Sequence, residues 1–199
     1  LEDENLIATT LIPFFNNYFP LNSKEKEEVL ERFSQRKIKR RGMLLQQGDV
    51  CKFFYFVVSG CLKMYVTDDA GKEHNLQFAI EQEWISDLSS FYSEKPSQVF
   101  IEAIEPTVVL QIKHADLLHL YIHYHKFDRN FRIITEQKYI ALQKRTLENI
   151  STSAEVRYHN FVAQHPALAL RLPNTQIASY LGITPEFLSK IRKNFTQPS

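Results

Sequence analysis

The sequence predicts an α+β chain in three parts: a jelly-roll β-barrel domain over residues 1–113, a long connecting helix over 114–150 and a helix-turn-helix over 151–199. Three observations predict it. Residues 37–113 are short runs rich in β-branched and aromatic side chains, separated by turn signals, and residues 114–150 contain no glycine or proline. The segment Asn174–Phe195 carries the start and stop signals of two short helices that meet at a tight turn. With 199 residues, 44% of them hydrophobic and 13% aromatic, the chain can bury one sizeable core and a smaller second one.

The first forty residues read as two helices, Glu4 to about Tyr18 and Ser23 to about Ser34. Leu6, Ile7, Leu11 and Phe15 recur at helical spacing, Phe19-Pro20 breaks the chain, and Ser23 can cap the second helix. Hairpin punctuation follows at Gly42, Gly48-Asp49, Ser59-Gly60 and Asp68-Asp69-Ala70-Gly71. Phe53–Val58 is nearly continuous apolar sequence, as a strand covered on both faces requires, whereas Leu62, Met64 and Val66 alternate with Cys61, Lys63 and Tyr65. Val99–Ile104 and Val108–Ile112 supply two more strands. No helix of crossover length separates these runs, which favours a barrel or jelly roll over an open parallel sheet. In the breaker-free stretch that follows, Ile133, Ile140 and Leu147 recur every seven residues, flanked by Phe131, Ile134 and Leu142. Gln137 and Lys144 make this seam weaker than a dedicated leucine zipper. A helix of that length outruns what one small barrel can cover, so a homodimer contact is expected of it.

No run of eighteen apolar residues occurs, and Glu2, Asp3 and Glu4 stand where a signal peptide would carry positive charge, so a soluble, cytoplasmic chain is expected. Cys51 and Cys61 are too few for a four-thiolate metal site and are expected to pack as small hydrophobes. The net charge of +1 is unevenly spread. Residues 151–199 hold Arg157, Arg171, Lys190, Arg192 and Lys193 against Glu155 and Glu186, a balance of +3 that leaves −2 for the rest. The basic bias suits a nucleic-acid partner for the tail.

The most informative segment is NTQIASYLGITPEFLSKIRKNF, residues 174–195. Ile177, Ala178 and Leu181 give its first helix an apolar face, and small Ala178 permits close crossing by a second helix. Gly182 falls where a helix ends in the left-handed conformation, and Ile183 plugs the turn. Thr184 is placed to cap the second helix, Pro185 takes its first position and Glu186 adds an acid at the positive end of the helix dipole. Leu188, Ile191 and Phe195 then share one side, while Glu186, Ser189, Lys190 and Lys193 share another. An ordinary solvated helix face would also carry such charges. Ala178, Gly182, Thr184 and Pro185 together meet the requirements of a helix-turn-helix, which turns the balance toward DNA recognition in the major groove.

On Gly48-Asp49, Ser59-Gly60 with Leu62, Asp69–Gly71 and above all Ile177–Ile191, the chain resembles the family of the cyclic-AMP receptor protein and the fumarate-nitrate reduction regulator, the Crp/Fnr family, over nearly its whole length. The resemblance implies a cyclic-nucleotide-binding-like barrel, a dimerisation helix and a C-terminal winged helix-turn-helix that binds an inverted-repeat operator in double-stranded DNA. It also admits RNA polymerase as a partner. It implies base contacts from Glu186 and Lys190, with Ser189 and Lys193 nearby, and phosphate contacts from Asn174, Thr175 and Thr184. Pro185 departs from the family's frequent arginine, which predicts a different operator. Only Thr196 to Ser199 follow the recognition helix, so the wing is cut short in this sequence.

Nucleotide-binding members of the family hold the ribose and cyclic phosphate with a Gly-Glu pair and an Arg followed by Ser or Thr. Here Ser86 and Asp87, before Leu88, stand for the first pair, and Ser97 and Gln98 for the second. The cation is missing. A cyclic phosphate buried beside Asp87 would cost on the order of several kcal/mol, so cyclic AMP is not expected to bind. No cofactor is predicted; either an effector of unknown identity is held at Ser86, Asp87, Leu88, Ser97 and Gln98, or none is and the protein is constitutively competent. Trp84, Phe91 and Tyr92 could line it or belong to the barrel core.

His114, His119, His123 and His125 crowd the junction of barrel and helix, and His119 and His123 have the i, i+4 spacing of a chelating pair. Without a convincing third ligand beyond Asp116 and Asp128 they are expected to cap or pack the junction, and no metal is predicted. A cupin-type metal enzyme would need several histidines inside the barrel, which holds only His74. No Ser-His-Asp set, P-loop or dinucleotide loop is present, so an enzyme is not expected. A cyclic-nucleotide module acting through protein contacts would have no use for the helix-turn-helix pattern of the tail.

Overall fold

The computed structural model describes residues 2–196, and the side chains of residues 3–194. The N-terminal segment is helical from Glu2 to Asn16, but not uniformly: α1 (Glu2–Leu6) passes through a π-helical turn, Ile7–Leu11, into α2 (Ile12–Asn16). Ile7, Leu11, Ile12 and Phe15 are buried from this segment. It stops short of Tyr18, because the Asn16 side chain accepts a hydrogen bond from the Leu21 backbone (2.9 Å) and turns the chain. The next helix, α3 (Ser23–Arg32), is capped by Asn22 and not by Ser23. Asn22 Oδ1 accepts from the Glu25 N–H (2.9 Å) while the Glu25 carboxylate accepts from the Asn22 N–H (2.7 Å), a reciprocal capping box. Ser34, expected at the end of this helix, lies in the first strand.

Eight strands follow: β1 (Phe33–Ile38), β2 (Met43–Leu45), β3 (Phe53–Ser59), β4 (Leu62–Thr67), β5 (Glu73–Ala79), β6 (Trp84–Ile85), β7 (Phe100–Ala103) and β8 (Thr107–Lys113). They form two four-stranded sheets with orders β1-β8-β3-β6 and β2-β7-β4-β5, as a jelly roll requires. β8 pairs antiparallel with both β1 and β3, and β7 with both β2 and β4. The continuous apolar run of β3 is buried on both faces. Tyr55 donates from its hydroxyl to the Leu44 carbonyl of the other sheet (3.3 Å), whereas Phe54 and Phe56 pack against Trp84 with ring centroids 5.1 Å away.

A short helix, α4 (Leu88–Ser93), lies between β6 and β7. After β8 the breaker-free stretch is not one helix. α5 (His114–His123) and α6 (His125–Ser151) are separated at Tyr124, which adopts an extended conformation (φ −140°, ψ 92°). The cause is tertiary: the Tyr124 hydroxyl donates to Glu28 Oε1 at 2.8 Å. Burial would raise the pKa of Glu28, but the hydrogen bonds from Tyr124 and Arg32 and the charges of Arg32 and His119 outweigh it and lower the value. Tyr139, Ile140, Leu142, Leu147 and Ile150 on the C-terminal half of α6 are exposed in the single chain. α7 (Ala154–Gln164), α8 (Pro166–Arg171), α9 (Asn174–Leu181) and α10 (Pro185–Thr196) complete the chain. Among the described residues no helix is long and apolar enough to cross a membrane.

The chain divides into two compact units. One holds the chain up to Tyr65 with Gln77–Thr135, the other Val66–Leu76 with the chain from Glu136 on. Cys51 and Cys61 form no disulfide with each other and are buried, at 2% and 0% exposure, as small hydrophobes would be.

Gly60, between β3 and β4, combines φ +99° with a backbone that leaves no space: an added Cβ would stand 2.7 Å from the Pro106 carbonyl oxygen. Gly60→Ala is expected to destabilise the barrel by about 1–3 kcal/mol, read as a lowered urea midpoint. An unchanged midpoint would mean that the β3–β4 turn is not held by the neighbouring backbone.

Candidate nucleic-acid interface

The helix-turn-helix is built as its sequence requires. α9 buries Ile177, Ala178 and Leu181, and α10 buries Leu188 and Ile191. Gly182 ends α9 in the left-handed region (φ +68°, ψ 34°), and the Ile183 N–H closes back on the Ala178 carbonyl at 3.0 Å. Thr184 Oγ1 accepts from the Phe187 N–H (3.2 Å), capping α10 with Pro185 at its first position. α7 enters the same unit with Ser153 as its cap.

This geometry leaves one face of α10 in solvent. Glu186, Ser189, Lys190 and Lys193 are all exposed, and so are Thr175 and Thr184. Ser189 donates its hydroxyl back to the Pro185 carbonyl (2.9 Å), which leaves the oxygen's lone pairs outward. Asn174 is half-buried and its Oδ1 accepts from Arg192 Nη1, a side chain eighteen positions away on α10. The side chain of Phe195, expected on the buried side, and residues 197–199, where a wing would begin, lie outside the described residues.

Two features escaped the sequence reading. Arg157, counted toward the basic balance of the tail, donates to the carbonyls of Thr152 (2.9 Å) and Leu181 (3.3 Å), and so acts as a bracket between α7 and α9. Phe187, in the first turn of α10, is 40% exposed beside the polar face. Neither is marked in sequence, since the tether needs two carbonyls that only the fold brings together.

The residues that the sequence assigns to an effector pocket are arranged around an acid. Asp87 caps α4: its Oδ1 accepts from the N–H groups of Ser89 (3.1 Å) and Ser90 (3.4 Å), and its Oδ2 accepts from the Ser97 hydroxyl (2.7 Å). Ser86 is buried, donates to the Phe53 carbonyl (3.1 Å) and lies 3.2 Å from Cys51 Sγ. Burial pushes the Cys51 thiol pKa up, against the lowering effect of the Ser86 hydrogen bond, so it stays protonated at neutral pH. Leu88 is half-buried and packs on the core, and Gln98 is exposed. The structure thus joins Ser86, Asp87 and Ser97 with Cys51 and Ser90, and leaves Gln98 outside. Trp84 and Phe91 are core residues, whereas Tyr92 is 46% exposed.

Of the junction histidines, His114 and His119 are half-buried, and His123 and His125 are exposed. His119 Nε2 lies 3.4 Å from Glu28 Oε2, the His119 and His123 rings are 4.4 Å apart, and His114 rests on Phe91 with centroids 5.0 Å apart. Among the described residues no group of three or more His, Cys, Asp or Glu is placed to hold a metal.

A jelly roll of this topology followed by helices and a C-terminal helix-turn-helix defines a class of proteins in which a sensor-type barrel precedes a DNA-binding fold. Residues 35–124 match the family described as "Cyclic nucleotide-binding domain". The transcriptional activator protein Anr of Pseudomonas protegens is 27% identical over 86% of this chain and 73% of its own length, and its Pseudomonas aeruginosa counterpart is 28% identical over the same shares. Among solved structures, FixK2 from Bradyrhizobium japonicum superposes with a TM-score of 0.73 at 18% identity, covering 83% of this chain and 85% of that one. A CooA variant from Carboxydothermus hydrogenoformans gives 0.73 at 18% identity, covering 94% and 84%. At such identity the structural matches bear on the fold alone. The sequence relatives and the shared fold together make the chain similar to transcription regulators of the Crp/Fnr type.

The turn supplies a direct check. An added Cβ at Gly182 meets nothing within 4 Å, so a substitution there tests backbone conformation without steric clash. Gly182→Val should cost about 1–2 kcal/mol of stability in the unit that holds α9 and α10, and Gly182→Asn clearly less. Equal costs, measured by thermal unfolding, would show that the left-handed turn does not limit this fold.

Proposed function

We propose that the protein is a cytoplasmic transcription regulator that binds an inverted-repeat operator as a homodimer, with no control by cyclic AMP. In this reading residues 1–113 are the sensor, 114–150 the connecting and dimerisation segment, and 151–199 the DNA-binding part. The observation that carries it is the solvent-facing array of Glu186, Ser189, Lys190 and Lys193 on α10, held behind the Gly182 turn. Carboxylate, hydroxyl and ammonium groups on one short helix can accept from cytosine N4 and donate to guanine O6 and N7. Thr175 and Thr184 at the starts of α9 and α10 are positioned to reach phosphates, joined by Asn174 if Arg192 releases it.

Dimerisation is supported by α6. Exposures of 62% at Ile140, 63% at Leu147 and 81% at Ile150 are high for large apolar side chains, and the first two stand one heptad apart. A two-fold pair of chains would present two recognition helices roughly 34 Å apart, which an inverted repeat matches. Selection from randomised duplex DNA by the purified protein, with no ligand added, should therefore recover such a repeat. Lys190→Ala should weaken binding to it by about 1–3 kcal/mol and relax base preference at one position of each half-site. Failure to enrich any sequence, with and without cell metabolites, would sink the DNA-binding reading.

Independence of cyclic AMP is supported by Asp87. Its carboxylate already takes the N–H groups of Ser89 and Ser90 and the Ser97 hydroxyl, so an incoming phosphate would find these donors occupied by a like charge. Calorimetric titration with cyclic AMP is expected to give no heat of binding at micromolar protein, and a micromolar complex would overturn this part of the proposal.

A further inference from the structure

The hairpin tip Val66–Leu76 belongs to the same compact unit as the helix-turn-helix, and its contact with α9 is polar and directional. Asn75 is 2% exposed and its groups converge on that helix and on Arg145. Its backbone N–H donates to Ser179 Oγ (3.0 Å), and its side-chain Nδ2 donates to the carbonyl (3.1 Å) and the Oε1 (2.9 Å) of Gln176. Ser179 in turn donates its hydroxyl to the Glu73 carbonyl at 2.8 Å. Arg145 of α6 completes the set: it donates to the carbonyls of Leu76, Asn75 (3.1 Å) and Tyr180 (3.0 Å) while its guanidinium lies 3.9 Å above the Tyr180 ring.

Gln176, Ser179 and Tyr180 share one side of α9, and Ile177, Ala178 and Leu181, which are buried, lie around the helix from them. The hairpin therefore grips α9 on a side that leaves Thr175, Thr184 and the outer face of α10 exposed. An apolar contact would permit sliding, whereas hydrogen bonds to a helix carbonyl and two side chains fix both rotation and translation. The grip is also incomplete, because Asn75 Oδ1 is buried with no hydrogen-bond partner. A closed state that leaves one polar atom unsatisfied is held less firmly than a fully paired one, as a latch that opens and closes must be.

We infer that Asn75 is a positioning residue for DNA binding: through Ser179 and Gln176 it holds α9, and with it the recognition helix, in the orientation that the operator requires. The inference rests on the DNA-binding reading above. It predicts a specific pattern in the full-length chain. Asn75→Ala and Ser179→Ala should each weaken operator binding about tenfold, within the usual range of coupling energies, and Ser179→Thr, which keeps the hydroxyl, should bind as the unaltered chain does. Affinity for random-sequence duplex and the salt dependence should stay the same in all variants, because the phosphate-contacting groups are untouched. By reciprocity, operator binding should slow hydrogen exchange in the peptide covering 66–76.

A merely structural role would lower specific and non-specific binding together and leave Ser179→Thr and Ser179→Ala indistinguishable. That result would overturn the inference. So would operator affinity of Asn75→Ala within twofold of the unaltered chain, or faster exchange over 66–76 once the operator is bound. Absence of any selective binding by the unaltered chain would instead remove the DNA-binding reading on which the inference stands.

Discussion

The packing of Trp84 is the constraint from which the rest of the barrel unit follows. Its ring lies within 5.0–6.2 Å, centroid to centroid, of Phe14, Phe33, Phe54, Phe56 and Phe131, which come from α2, β1, β3 and α6. A single large side chain thus fastens the N-terminal helices and the start of α6 to the outer face of one sheet. Aromatic pairs at such distances contribute beyond the area they bury, through the match of ring edge to ring face. The cost is visible: the Trp84 indole N–H is buried without a hydrogen-bond partner. A core that accepts an unpaired donor in order to keep the ring in place is organised around that ring. The beginning of α6 is consequently committed, with Phe127, Phe131 and Ile134 buried, whereas no described apolar side chain after Ile134 on that helix is fully buried.

That division explains which parts of the fold were legible in the sequence. The turn of the helix-turn-helix was, because Gly182, Thr184 and Pro185 act on their own backbone and need no distant partner. Strands β3, β4, β7 and β8 were, because β-branched and aromatic runs between glycine turns have few other uses, whereas β1, β2, β5 and β6 carry no comparable run, and the start of β1 reads as the end of a helix. The break at Tyr124 was not. Nothing local forbids a helix through that residue, and its extended backbone answers to a hydroxyl that reaches Glu28, ninety-six positions earlier. The shift of the α3 cap from Ser23 to Asn22 is a smaller instance: both residues can cap, and the register of Glu25 decides between them. Of the interface, the exposed face of α10 could be read from helical spacing. The engagement of Asn174 by Arg192 and the bracket formed by Arg157 could not, since each pairs a side chain with a group that only the tertiary fold supplies.

The pocket region shows how a substitution pattern becomes chemistry. In sequence, Asp87 and Ser97 were departures from a nucleotide site, marked mainly by a missing cation. In the structure they are partners, since the Ser97 hydroxyl donates to the carboxylate that caps α4. The absent arginine is therefore not a vacancy waiting for compensation. The carboxylate supplies the negative charge that the start of α4 can accept, and its hydrogen bonds leave few donors for a second anion.

This constrains what could act on the barrel through these residues. An anionic ligand would have to displace Asp87 from the N–H groups of Ser89 and Ser90 and from Ser97, and then share the space with the carboxylate it displaced. The first step loses charge-assisted hydrogen bonds and the second adds a like-charge contact, so both oppose binding. A neutral or cationic ligand faces neither penalty, because it can use the outer lone pairs of Asp87 while the existing bonds stay intact. The buried, protonated Cys51 thiol beside Ser86 adds no negative charge to the site and leaves that preference unchanged. On the proposal made above, an anionic ligand, the class to which cyclic nucleotides belong, would thus meet the strongest opposition at Asp87.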